Sequence, residues 1–259
     1  MKKWGLDTDN FFHGLDQLEN PEYEVRLPIF YYDNTAITAI YTASTRQVKK
    51  HLPRSEMHPV EMFPGRCLVA FSAFEYRRTD IDPYNEFSIT AIISYGNRQI
   101  PGLTSSWYML RNCFSAYILH LPVTSERARR GGVELCGYPK FIADISLSHE
   151  SAHITCTVEE NGRRILSLRG KKTRVSKGRL ARFILYTVKN GIPLKANLYV
   201  NPLQFRQTMG PGNARLDIGG DHRICRELKD LDLSRWPVMY QYMPSYQAIL
   251  FNSRNIIDD

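Results

Sequence analysis

Ten stretches of this chain alternate apolar and polar residues or run through β-branched ones, each only four to ten residues long. They are residues 35–41 (TAITAIY), 67–75 (CLVAFSAFE), 86–94 (EFSITAIIS), 114–121 (FSAYILHL), 142–148, 153–158, 165–169, 182–188, 193–200 and 246–251. A period of two places alternate side chains on one face, which is the pattern of a strand. Asn161-Gly162 and Asn190-Gly191 each separate two such runs, and Asn-Gly accepts the positive φ of a tight hairpin turn. Helical signals are few. Ser44-Thr45 can start a helix that stops before Pro53. Thr124-Ser125, followed by Glu126, can start a second, expected to close at Gly131-Gly132.

Long helices between strands are missing, so a doubly wound parallel sheet is excluded. The expectation is a mainly β (α+β) fold in a single domain over residues 1–259. Its strands form an antiparallel curled sheet, or a double-layered β-barrel or cone with a few short helices. So many strands in one open sheet would leave exposed edges. Residues 1–25 are read as an N-terminal arm to this domain.

With 259 residues and 43 % hydrophobic side chains the chain can bury a sizeable core without staples. No apolar run approaches the ~18 residues of a membrane span. Asp7, Asp9 and Asn10 stand where an export signal needs an apolar stretch, so the expected location is the cytoplasm. The five cysteines (67, 113, 136, 156 and 225) are scattered, with no C-x-x-C pair, and read as free thiols. The net charge of +8 is local: residues 163–182 hold nine Lys or Arg and no acid, leaving 25 basic against 26 acidic residues elsewhere. Aromatic residues for base stacking are missing from that segment, so nucleic-acid binding is not the favoured reading.

Phosphate-loop, nucleophile-elbow and H-E-x-x-H motifs are all missing. Asp221-His222 beside Cys225 looks metal-like, but no second cluster completes it, so neither a metal nor a cofactor is expected. The informative stretch is 131–142, GGVELCGYPKFI. Pro139 fixes its own φ and biases Tyr138 toward extended geometry, so the backbone that presents Lys140 is stiff. Only a neutral amine attacks a carbonyl, and an ordinary lysine with a pKa near 10.4 is neutral about once in ~2,500 at pH 7. A lysine turned into an apolar interior loses hydration, which disfavours its charged form. The opposite reading is a solvated lysine at a strand end.

The pattern G-x-E-L-x-G-Y-P-K, Gly132 to Lys140 here, resembles the signature of the acetoacetate decarboxylase family. In that family the lysine after Tyr-Pro forms a Schiff base with the substrate. Pro83-Tyr84-Asn85-Glu86 resembles the family's Tyr-x-Glu, whose glutamate faces the catalytic pocket. Residues 117–121 and Met209-Gly210-Pro211 with Ala214-Arg215-Leu216 extend the resemblance over about residues 30–252. It implies Lys140 and Glu86 as catalytic residues, and Tyr138, Phe141, His120, Asn34, Ser72, Met209 and Arg215 around the substrate. It also implies a small keto-acid substrate and a homo-oligomer.

Three positions depart from the family. Phe141 stands where its decarboxylases have a second lysine, Asn34 where an arginine engages the substrate carboxylate, and Ser72 where a second carboxylate lies. The implied chemistry is removal of CO2 from a β-keto acid through a lysine iminium. The alternatives are a Schiff-base aldolase or dehydratase acting on an α-keto acid, and a non-catalytic barrel that binds a small ligand or an anionic partner.

Overall fold

The computed structural model describes residues 2–256. Its longer strands begin with β1 (Ile29–Ser44), β2 (Arg66–Thr79), β3 (Tyr84–Tyr95) and β4 (Cys113–Val123). There follow β5 (Lys140–Ile142), β6 (Asp144–His149), β7 (His153–Glu160) and β8 (Arg163–Lys171). The last four are β9 (Ala181–Lys189), β10 (Ile192–Met209), β11 (Ala214–Ile218) and β12 (Met239–Leu250). The helices are α1 (Thr45–Lys49), α2 (Leu103–Arg111), α3 (Glu126–Cys136) and α4 (Arg223–Asp230).

Seven strands close a barrel in the order β1, β2, β3, β4, β9, β10, β12, with β12 bonded back to β1. Closure removes the exposed edges that an open sheet of this size would carry. The pairing is antiparallel except at β4, which runs parallel to β9 along residues 113–117 and parallel to β5 along residues 121–123. A wholly antiparallel barrel was expected. The parallel seams arise because the chain returns to β4 by crossovers: α3 leads from β4 to β5, and β6, β7 and β8 of a second sheet lie between β4 and β9.

That second sheet is antiparallel, in the order β6, β7, β8, β11. It lies over the outer face of β1, β2 and β3. Ile37, Ala39 and Tyr41, with Val69, Phe71 and Ala73, and Phe87, Ile89 and Ala91, pack there against Ile154, Val158, Leu166 and Leu168. Ile224 and Leu228 of α4 join the same core. The alternate residues of the same strands point into the barrel. Both faces are therefore buried, and so these strands read as nearly continuous apolar runs.

Both Asn-Gly pairs form the expected turns: Asn161 and Gly162 have φ of 52° and 71°, and Asn190 and Gly191 have 51° and 78°. Residues 2–25 lie against the barrel, with Leu6 and Phe11 packed on Phe30, Leu180 and Ile249. All five cysteines are free thiols, four of them buried and Cys113 half-buried. No helix among the described residues is long and apolar enough to cross a membrane. Within the basic segment Arg169 pairs with Glu150, Lys177 with Asp9, and Arg182 bonds Asn197.

The helix expected to close at Gly131-Gly132 runs instead to Cys136 and ends at Gly137, whose φ is 62°. The two glycines sit inside α3 because of what faces them, as described below. Helices α2 and α4 were not anticipated.

Leu168 is fully buried between the two sheets. Leu168→Ala should cost about 2–5 kcal/mol of unfolding free energy, seen as a lower urea midpoint.

Candidate active site

The site is built where the barrel changes partner. Strand β4 carries a one-residue irregularity between Ile118 and His120, and beyond it β5 takes the place of β9 beside β4. Leu121 lies opposite Lys140 in this pairing, so the lysine enters the barrel wall at its edge. The amide of Lys140 bonds the carbonyl of Tyr138 at 2.7 Å across Pro139, a three-residue turn that suits proline's fixed φ. Neighbouring residues of a strand face opposite ways. Lys140 points inward and Phe141 points out.

Inside, Lys140 Nζ lies 2.8 Å from Glu86 Oε2 on β3. Their side chains are only 6 % and 9 % exposed, which makes this a buried ion pair. Tyr76 donates to Glu86 Oε1 at 3.2 Å. Lys140 Nζ lies 5.6 Å from the centroid of the Tyr84 ring, a cation–π contact. Tyr31 completes the aromatic wall, with its ring centroid 4.7 Å from that of Tyr76. The phenols of Tyr31, Tyr76, Tyr84, Tyr138 and Tyr246 are all pushed up, first by burial, with the nearby charge of Glu86 adding to it. They keep their protons. The hydroxyl of Tyr138 is buried, with the Cys136 thiol as its polar neighbour.

Helix α3 covers this end of the barrel. A Cβ on Gly132 would lie 2.6 Å from Lys140 Cδ and 2.7 Å from Cε, so the lysine stem occupies the space a side chain would need. Gly131 is also close-packed, 3.2 Å from Val25 Cγ1 by the same measure. This is why two glycines stand inside a helix at a cost in helix propensity of ~1 kcal/mol each.

The pair opens onto a cavity of about 160 Å³ inside the barrel. One wall carries the hydroxyls of Thr38, Ser72, Ser88 and Thr90, the other aliphatic and aromatic residues. Among the described residues Lys140 and Glu86 are the only charged side chains lining it. No three His, Cys, Asp or Glu among the described residues come together as metal ligands would.

The family model for acetoacetate decarboxylase matches residues 18–245, most of the chain. The chain belongs to the acetoacetate decarboxylase family. No curated protein matches it in sequence. Among solved structures it is similar to an acetoacetate decarboxylase from Legionella pneumophila, with a TM-score of 0.64 and 11 % identity, covering 88 % of this chain and 87 % of that one. A second acetoacetate decarboxylase structure gives a TM-score of 0.62 at 16 % identity, covering 93 % and 95 %. The enduracididine biosynthesis enzyme MppR gives 0.64 at 13 % identity, covering 90 % and 89 %. At such identities these likenesses speak for the fold.

Within this acetoacetate decarboxylase fold, Lys140, Glu86, Tyr138 and Ser72 meet at one cavity. Ser72 accepts a hydrogen bond from Thr38 at 2.9 Å. The other expected pocket residues lie elsewhere. Phe141 and His120 line an open cleft outside the barrel. Alternation from Ala116 and Ile118 would bring His120 inward, but the irregularity after Ile118 flips the parity, so Leu121 enters the cavity instead. His120 bonds Glu227 of α4 at 2.9 Å, and burial lowers its pKa, with Glu227 opposing. Asn34 is buried in the barrel wall, where its amide donates to the Tyr246 carbonyl at 2.9 Å. Met209 is exposed at the end of β10. Arg215 lies on the second sheet, exposed and paired with Asp217 at 3.0 Å. The metal-like trio at residues 221–225 is structural: His222 accepts from the Ile224 amide and meets Glu160, while Cys225 bonds the Ile165 carbonyl.

Of the tyrosine wall, Tyr138 was expected from the sequence and Tyr84 lies in the quoted Tyr-x-Glu match, while Tyr31, Tyr76 and Tyr246 were missed. Tyr84 stands two residues before Glu86, so alternation alone would put it on the same face. Tyr31 and Tyr246 come from distant strands and carry no such signal.

Gly132→Ala should displace the Lys140 stem and break its contact with Glu86, whereas Gly131→Ala should leave the contact in place. Crystal structures of the two variants would check this.

Proposed function

We propose that this protein removes CO2 from a β-keto acid through an iminium formed on Lys140. The observation that carries the reading is the Lys140–Glu86 pair, buried at 2.8 Å and open to an otherwise uncharged cavity. Glu86 takes the ammonium proton along that contact, leaving a neutral amine at Lys140. The amine adds to the keto carbon. The Tyr138 hydroxyl, buried at the cavity, donates to the substrate oxygen. Water leaves and an iminium forms. The bond between the α-carbon and the carboxylate then breaks. Its electron pair moves toward the iminium nitrogen, giving CO2 and an enamine. Glu86, having given its first proton to the departing water, takes another from solvent and delivers it to the α-carbon, and water hydrolyses the iminium to free the ketone and Lys140.

The cavity's composition favours this step. Loss of CO2 removes the substrate's negative charge and the iminium's positive charge together, and buried charge is costly where few polar groups surround it. Aldol or dehydration chemistry on an α-keto acid keeps its carboxylate throughout and calls for a second cation to hold it. Among the described residues the cavity has none beyond Lys140. MppR, a structural neighbour with 13 % identity, has been crystallised with pyruvate. An α-keto acid is therefore the natural comparison substrate.

Borohydride reduction in the presence of labelled acetoacetate should leave a stable adduct on Lys140, and Lys140→Ala should abolish it. Absence of an adduct with any keto acid would rule out imine chemistry. An adduct without CO2 release would rule out decarboxylation. Glu86→Gln should lower kcat by about 10²–10⁴-fold, and Tyr138→Phe should lower it less, with both measured as CO2 evolved.

A further inference from the structure

The cavity has two different ends and two different walls. At the Lys140 end, Tyr31, Tyr76, Tyr84, Tyr138 and Tyr246 are buried, and α3 lies behind them. Glu86, Ser88, Thr90 and Ile92 follow one another along the inner face of β3, so the wall runs roughly 20 Å from the ion pair to Ile92. At the far end Ile40, Ile92, Phe114 and Gln241 are only half-buried. Lys140 also lines the open cleft beside Phe141 and His120, so the keto carbon reacts where cleft and cavity meet, and whatever is attached to it extends along the cavity toward the far end.

The two walls differ in chemistry along that path. Thr38, Ser72, Ser88 and Thr90 form a strip of hydroxyls across β1, β2 and β3, in register at Thr38–Ser72–Ser88. The hydroxyls of Ser88 and Thr90 make no hydrogen bond to the described protein. Opposite them lie Ile118, Leu185, Leu198, Phe114 and Phe183. At about 160 Å³ the space is comparable with the roughly 150 Å³ that admits benzene.

Resting on the Lys140 reading above, we infer that the substrate is a β-keto acid with an extended tail, apolar along one edge and carrying a hydrogen-bonding oxygen on the other. The head lies at the tyrosine end. The tail's oxygen accepts from Ser88 or Thr90, and its carbons lie on Leu185, Leu198 and Phe114.

The test uses two independent measurements. With the wild-type enzyme, kcat/KM is compared for acetoacetate, 3-oxohexanoate and 3,5-dioxohexanoate. Each added methylene should raise it about fourfold, and the 5-oxo group should raise it again in the wild type but not in the Ser88→Ala, Thr90→Val double variant. Acetoacetate equal to or better than 3-oxohexanoate would overturn the tail.

In the second measurement, the product ketones 2-propanone, 2-pentanone and 2-heptanone are titrated into Lys140→Met, with wild type alongside as a folded control, by ligand-observed NMR. Affinity should rise with length by the same factor. A flat series would overturn the tail whatever Lys140 does. A rising series without a borohydride adduct in wild type would support the tail and reject the imine. Ala116→Leu narrows the far end. It should lower the ratio of 3-oxohexanoate to acetoacetate turnover by tenfold or more, and an unchanged ratio would count against the proposed path.

Discussion

An ammonium and a carboxylate held 2.8 Å apart inside a barrel satisfy each other only while water is kept away and neither partner moves. Removing one partner of such a pair leaves a buried charge that costs about 3–5 kcal/mol. Much of the architecture serves this contact. Strands β3 and β4 join to close the barrel and place Glu86 on its inner face. The change of partner along β4 admits β5 and brings Lys140 in from the edge. Helix α3 lies over the opening, and it can do so because Gly132 leaves room for the lysine stem. Tyr76 holds the second carboxylate oxygen. A mistake in any of these would separate the charges.

The barrel strands divide their labour by face. The outward residues of β1, β2 and β3 make the principal core with the second sheet and α4. Stability is thereby secured outside the barrel. The inner face is then free to hold hydroxyls, a buried charge pair and an unfilled space, features that a packed core does not tolerate. This explains how a chain with a strongly apolar strand pattern keeps a cavity where most barrels of this size are filled with side chains.

The strands and both hairpin turns are legible in the sequence because they rest on local rules: a period of two, and the positive φ that Asn-Gly accepts. The stiff presentation of Lys140 is equally local, since Pro139 acts on its neighbours directly. The residues that went astray did so through longer-range effects. His120 was turned outward by a single irregularity in β4, and nothing in the spacing of 117–121 announces it. Gly131 and Gly132 look like a helix end, yet they lie within α3 because Val25 and Lys140 approach from elsewhere in the chain. Met209 and Arg215 sit in a segment resembling the family, but it spans the end of one sheet and the start of another, away from the cavity.

By itself, the sequence determined the β-rich class, the hairpins, and the rigid presentation of Lys140. These follow from interactions within a few residues. Only the tertiary structure decided which face each strand turns inward, because parity depends on irregularities and on what packs outside. It alone brought Tyr31, Tyr76, Tyr84, Tyr138 and Tyr246 from five separate segments around the charge pair. The basic segment shows the same division. Its excess charge is plain in the sequence, but the partners of Arg169, Lys177 and Arg182, at Glu150, Asp9 and Asn197, are set by the fold. The cation with a chemical role is Lys140, which the closed barrel sets apart from all the others.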